Sequence, residues 1–238
     1  MKKISGDIIF EVTRRCNMKC LHCLRGDAQN LDMSKEIVDK ALDQIEYMSS
    51  VTFSGGEPGL NVDIMNYILE ECKRRNIPIY GFFVATNGGA TTPEFIMFML
   101  QLYLYAVQCG GETEMMTLAL SSDEFHSELE DDEMLLLKGF SFFSEDAKQT
   151  DFRKYPLINE GRAKQLNTPY KKRELQHYDP SIEVDDETVM VVEGYIYFCA
   201  NGMVRTECDA SYDNTDYDIC TVDDNIPDVL IQFCEEVA

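Results

Sequence analysis

The chain has 238 residues, 45% of them hydrophobic, and a formal net charge of −22. That length and apolar content suffice for one large folded unit, or one plus a small appendage, and exclude wholesale disorder. So acidic a chain has no basic surface in bulk to displace counterions from a phosphate backbone or to hold an anionic bilayer, which argues against nucleic acid and membranes as partners and leaves a cationic peptide or plain solubility.

In chain order, residues 7–13 read as a strand. Ser34 is a candidate N-cap, and Ile37, Val38, Ala41, Leu42, Ile45 and Met48 follow as an apolar stripe at helical spacing. Residues 51–56 form a short strand running into glycines. Residues 62–75 predict a second helix with Ile64, Ile68, Leu69 and Cys72 on one face. Residues 77–88 read as a third strand ending in a turn, and Thr92-Pro93 starts a helix, with proline at its first position. The apolar run 95–107 contains Gln101 and falls short of the roughly 20 residues that span a bilayer. Residues 116–123 make a fourth strand, 139–144 a fifth and 155–161 a sixth. The polar stretch beginning at Asp123 suits a helix N-terminus, and His126 and His177 fall in polar segments expected to be solvated.

Strand–helix alternation of this kind predicts an α/β fold, a parallel sheet with helices outside it; about six units make an incomplete barrel, open on one side. After about residue 165 the chain becomes polar and turn-rich. Residues 188–208 then read as a β-hairpin turning at Asn201-Gly202. The expected organisation is a core over 1–165 and a small β-rich extension over 166–238. The N-terminus carries no long apolar stretch with a small-residue cleavage site, so no signal peptide is expected. Nine cysteines in that setting point to a reducing cytoplasm, where clustered cysteines bind metal more often than they pair.

The densest chemistry is RRCNMKCLHC, residues 14–23, which brings Cys16, Cys20 and Cys23 together directly after the first strand. Thiolates are soft ligands that suit zinc or iron–sulfur clusters. His22 is a poor fourth zinc ligand because it adjoins Cys23, and closed zinc sites usually take two separated pairs. A four-iron cubane with one iron left open fits better; a zinc site or a buried thiol group are the alternatives.

The Cys-x3-Cys-x2-Cys spacing resembles the cluster motif of the radical S-adenosylmethionine (radical SAM) enzymes. Three further positions carry the resemblance: SGGEP at 54–58 after the second strand, ATNGG at 85–89 after the third, and LSSDEFH at 120–126 ending the fourth. It covers roughly residues 6–165 and implies a partial (β/α)6 TIM-like barrel holding a [4Fe–4S] cluster and S-adenosylmethionine. In parallel α/β barrels, C-terminal strand ends share one mouth, so all four motifs are expected to meet there.

The resemblance implies that Cys16, Cys20 and Cys23 hold the cluster, while Gly55, Gly56 and Glu57 face the cofactor's amino group. The two glycines would let backbone approach it closely. Asn87, Ser121 and Asp123 would bond its ribose or carboxylate, and Arg162, in NEGRA, would pair with the carboxylate. No adenine-contacting element is legible. The implied chemistry is reductive cleavage of the sulfonium to a 5′-deoxyadenosyl radical, which abstracts hydrogen from a peptide or small-molecule substrate. The reductant would be a flavodoxin- or ferredoxin-type donor. Cys199, Cys208 and Cys220 loosely resemble an auxiliary-cluster extension, with Cys234 a candidate fourth ligand; their spacing departs from that pattern, so a second iron–sulfur cluster, zinc and unligated thiols all stay open. Two other functions are retained: activation of a glycyl-radical enzyme, and a non-catalytic metal- or nucleotide-binding sensor on the same fold.

Overall fold

The computed structural model describes residues 2–126, 129–149, 151–152, 154–177 and 179–237. Its first half alternates β1 (Lys3–Thr13), α1 (Lys35–Asp43), β2 (Ile45–Gly55), α2 (Val62–Arg75), β3 (Phe82–Thr86), α3 (Pro93–Gln108), β4 (Met116–Ser122), α4 (Asp131–Lys138) and β5 (Phe143–Gln149). These strands pair in parallel in the order β1-β2-β3-β4-β5. Among the described residues β5 pairs only with β4, so the sheet stays open at that edge. No helix among those residues is long and apolar enough to cross a membrane.

Local signals account for most of these elements. Ser34 caps α1 by accepting from the Ile37 N–H at 3.2 Å, and Thr92 caps α3 by accepting from Phe95 at 3.2 Å. α1 stops before Ile45 and Met48, which belong to the expected helical stripe. Both are buried in β2, where register shifts against β1 at Ile4/Ser5 and Gly6/Asp7 set extra β2 residues opposite single β1 residues. Each bulge advances the strand by one residue, so Ile45, Met48 and Val51 all reach the core three residues apart.

The expected sixth strand is reduced to β6 (Leu157–Ile158), which pairs with β7 (Lys172–Arg173) in a separate small sheet. Pro156 precedes it without an N–H to donate, and a 3-10 turn over Gly161–Gln165 follows closely.

The remaining chain forms β8 (Ser181–Val184), β9 (Thr188–Glu193), β10 (Ile196–Phe198), β11 (Met203–Arg205), β12 (Asp218–Thr221) and α5 (Ile226–Val237). β9 and β10 run parallel to β1 along its free edge, matching Lys3 with Thr188 and Ile8 with Ile196. Only β10 and β11 make the expected hairpin, which turns at Asn201-Gly202 with Gly202 at φ +84°. β9 does not continue it, because it pairs with β1 and β8 instead.

Alternation along the strands separates two faces. Ile8, Phe10, Val12, Val51, Val84 and Phe198 join the main core with residues from the helices. Phe53 meets Phe98 of α3 edge-on, with centroids 5.3 Å apart. The opposite face carries Ile9, Thr52, Ser54, Ala85 and Ser121, and these line a cavity of ≈540 Å³.

Candidate active site

The cavity sits where the four sequence motifs emerge. After β1 the chain makes a long excursion that is closed at its neck. Arg14 N–H donates to Leu31 at 2.8 Å, Gln29 N–H to Arg14 at 3.0 Å and Met33 N–H to Val12 at 3.0 Å. Thr13 Oγ1 accepts from Arg15 N–H at 3.0 Å and donates to Asp32. Cys16, Cys20 and Cys23 lie on this loop, half-buried, and all line the cavity.

Gly55 and Gly56 pack directly on that loop. Gly55 has φ +139°, and a Cβ there would stand 1.9 Å from Thr13 O. A Cβ on Gly56 would stand 2.1 Å from Arg15 O and 3.0 Å from the Cys16 Cβ. The space opened by the missing side chains is thus filled by the cysteine loop's own backbone, where a cofactor amine was expected. Gly56 and Glu57 N–H groups donate to Thr13 and Arg15 at 2.9 Å, fastening the two loops.

Glu57 is 1% exposed and does further joining. It accepts from Thr86 Oγ1 at 2.7 Å, Asn87 N–H at 2.8 Å and Gly59 N–H at 3.3 Å. Burial pushes its pKa up, against the pull of those three bonds. Asn87 in turn donates from Nδ2 to Asn17 Oδ1 at 2.9 Å and approaches Cys16 Sγ at 3.7 Å. The ends of β2 and β3 therefore set the position of the loop that presents the thiols.

Ser121 and Asp123 reach the cavity from the end of β4. Asp123 does not open a helix, since α4 starts at Asp131. Its carboxylate accepts from Phe125 N–H at 2.8 Å and faces His126 Nδ1 at 2.9 Å and His22 Nε2 at 3.4 Å. Burial favours its neutral form, but the bonds from His126 and Phe125 outweigh it and hold its pKa down. His22 stacks on Phe125 at 4.5 Å and Phe152 at 4.9 Å, and desolvation lowers its pKa to about 4 despite Asp123. His126, expected in solvent, lines the cavity. Burial lowers its pKa, but bonds to Asp123 and Cys20 prevail and raise it to about 9. His177 is not free in solvent either: it faces Glu207 at 3.3 Å and Asp179 at 3.2 Å.

Arg162 also lines the cavity. Its N–H donates to Cys23 O at 2.9 Å, its Nη1 lies 3.5 Å from Asp27 and its Nε is buried without a partner. The cavity thus brings together the three cysteines with Gly55, Gly56, Glu57, Asn87, Ser121, Asp123 and Arg162. Sequence reasoning missed Arg14, Arg25, Asp209 and Tyr212 on its wall, and the last two come from the C-terminal segment.

Cys199, Cys208 and Cys220 do not converge. Cys199 is buried with Ile9 and Tyr197 in a small cluster against which Cys208 packs. Cys220 packs against the main core, across from Val204 of β11. The alternation of the sheet puts it on the other face from Cys199. Cys234 donates instead to Pro180 O at 3.2 Å.

The donor set of the first three cysteines fits an iron–sulfur cluster. Three soft thiols face one cavity, and among the described residues their sulfurs do not all lie within 4.8 Å of one another. That spread is wider than one ion takes and suits a multi-iron group.

Residues 10–113 match the family model described as the Radical SAM superfamily. A curated relative, an uncharacterized protein of Methanocaldococcus jannaschii, is 32% identical over 68 residues; the match spans 27% of this chain and 24% of that protein. The fold is similar to that of native anSMEcpe with bound AdoMet, with a TM-score of 0.59 and 14% identity over 96% of this chain and 80% of the other. Native anSMEcpe with bound AdoMet and Cp18Cys peptide gives a TM-score of 0.55, with 14% identity over 97% and 80% of the two chains.

Proposed function

We propose that this chain is a radical SAM enzyme that holds a single [4Fe–4S] cluster on Cys16, Cys20 and Cys23, binds S-adenosylmethionine in the adjoining cavity, and acts on a peptide or small molecule there. The observation that carries the reading is the meeting of the cysteine loop, Gly55-Gly56-Glu57, Asn87 and Ser121–Asp123 on one cavity wall. When bound, the cluster and S-adenosylmethionine supply a 5′-deoxyadenosyl radical able to take hydrogen from an unactivated C–H bond.

The chain's own part is placement and exclusion. Glu57 and Asn87 hold the cysteine loop against the ends of β2 and β3, so that Cys16, Cys20 and Cys23, which would hold the cluster, line the cavity. Ser121, Asp123 and Arg162 present polar groups to the cofactor, and His22, packed against Phe125 and Phe152, closes part of the cavity with ring surface. Ile9 and Ala85 supply apolar lining that keeps water from a reactive centre. Residues 208–212 add the remaining wall, so the extension over 166–238 is read as shaping the substrate space. Peptides are the first substrates to try, since anSMEcpe, which shares the fold, is described with a bound peptide. A flavodoxin- or ferredoxin-type donor and a reducing compartment complete the reading; all nine cysteines are free thiols.

Anaerobic reconstitution tests it. The protein is expected to take up about four irons, to lose them when Cys16, Cys20 and Cys23 are all replaced by alanine, and to release 5′-deoxyadenosine when reduced with dithionite in S-adenosylmethionine. A full iron count with no 5′-deoxyadenosine would favour the non-catalytic sensor instead.

A further inference from the structure

We propose that Arg14, Arg25 and Tyr212 form a subsite for a carboxylate group of the substrate. The inference rests on reading the cavity as a radical SAM active site and goes on to name what the substrate must carry. All three residues line that cavity.

In a chain of net charge −22, this stretch of wall carries two guanidiniums, with Glu11 paired to Arg14 and Asp209 also on the cavity. Arg14 is 5% exposed; its Nε meets Glu11 at 3.0 Å, its Nη1 donates to Gln29 Oε1 at 3.0 Å, and its Nη2 is buried without a partner. Glu11 is already shared, because the same oxygen accepts from Ala200 N–H at 2.8 Å. Among the described residues Arg25 donates to neutral oxygens, Ala210 O at 3.0 Å and Ser54 Oγ at 3.4 Å, and lies over the Tyr197 ring at 5.2 Å. No carboxylate among the described residues is in ion-pair contact with Arg25.

Tyr212 supplies the second, independent observation. It is 6% exposed, its hydroxyl is buried with no partner, and its ring lies 4.7 Å beneath the Arg14 guanidinium. Its N–H donates to Arg25 O at 3.1 Å, so one segment positions all three groups. A half-buried guanidinium without an ion-pair partner and a buried donor without an acceptor both leave polar groups to be satisfied. A ligand carboxylate answers both, since its two oxygens accept from a guanidinium fork and a phenol together. A single negative charge suits this wall better than two, since Glu11 already pairs with Arg14. A doubly charged phosphate would also meet Glu57, Asp123 and Asp209 on the same cavity.

The carboxylate could be the substrate's or the cofactor's own. The substrate is favoured because the groups assigned to the cofactor come from the ends of β2, β3 and β4 and from the turn at Arg162, whereas this subsite is built from the cysteine loop and residues 210–212.

The test uses reconstituted protein with its cluster oxidised, saturated with S-adenosylmethionine and labelled on arginine and tyrosine side chains for NMR. Glutarate is the probe and glutaramide its uncharged control. Glutarate is expected to shift the Arg14, Arg25 and Tyr212 signals saturably, and glutaramide is not. Tyr212→Phe removes one hydroxyl without changing shape and should weaken glutarate by about tenfold, the scale of a hydrogen bond to a charged group. S-adenosylmethionine affinity, measured by equilibrium dialysis, should hold. Arg14→Gln should abolish the shifts; if it misfolds, Tyr212→Phe still decides. Silence toward glutarate, or an equal response to glutaramide, overturns the proposal. So does a Tyr212→Phe protein that loses S-adenosylmethionine affinity and keeps glutarate affinity, which would give the subsite to the cofactor. Iron content and S-adenosylmethionine binding of the unsubstituted protein test the underlying reading separately.

Discussion

Oε2 of Glu11 lies 3.0 Å from Nε of Arg14 while accepting the Ala200 N–H at 2.8 Å. One buried oxygen thus joins the root of the cysteine loop to the turn after β10. Glu11→Gln leaves Arg14 charged and unpaired in the interior, and should cost about 3 kcal/mol, the scale for breaking one side of a buried pair. The double variant Glu11→Gln with Arg14→Met should recover most of that loss. Urea unfolding of both measures it, and a single-variant loss below about 1 kcal/mol would mean that water screens the pair.

Gly56→Ala should prevent the cysteine loop from docking. The new Cβ would stand 2.1 Å from a carbonyl oxygen of the backbone, which no rotamer change relieves. We expect roughly 3 kcal/mol of destabilisation or more, together with loss of iron on reconstitution. Gly110→Ala is the control. Its φ is +91°, but nothing lies within 4 Å of the point where its Cβ would stand, so only backbone strain of about 1 kcal/mol is expected.

Glu160 gives a pH dependence. It is 7% exposed and accepts from Asn214 Nδ2 and Lys164 Nζ, each at 3.2 Å. Burial raises its pKa, but the bonds from Ser211, Lys164 and Asn214 outweigh burial and hold it below the ordinary 4.5. A depressed carboxylate contributes stability above its unfolded pKa and loses it as pH falls through the folded value. The native protein should therefore exceed Glu160→Gln in stability at neutral pH. That margin should start to shrink near 4.5 and vanish below the depressed value, as followed by thermal melts across acid pH. A margin that does not change with pH would refute it.

Replacing Cys199, Cys208 and Cys220 together by alanine should leave the iron count of reconstituted protein unchanged, because the sheet holds Cys220 on the opposite face from Cys199. Burial pushes the Cys199 thiol up to about 12, the state of a packed neutral group. A fall to near zero iron in this variant, with folding intact, would contradict the placement of the cluster on the early loop.

The strand–helix alternation and the motifs at the strand ends were legible because both are local patterns. Ile45 and Met48 were misplaced for a physical reason: bulges in β2 give a strand the three-residue spacing of a helix. His126 was missed because a turn, with Asp123 accepting from Phe125, replaces the helix expected there. Arg14, Arg25 and Tyr212 gave no local signal, since what gathers them is the pairing of β10 with β1 and the packing of residues 208–212 on the cysteine loop. The glycines at 55 and 56 were found, but which neighbour crowds them is a matter of tertiary approach.

The lateral pairing of β1 with β9 and β10 also bears on assembly. β1 finds two of its partners only in β9 and β10, far along the chain, so this edge must stay unpaired while the intervening residues are synthesised. Cluster loading on the adjacent loop faces the same delay, and iron delivered before β9 and β10 have docked would meet thiols whose scaffold is still half built.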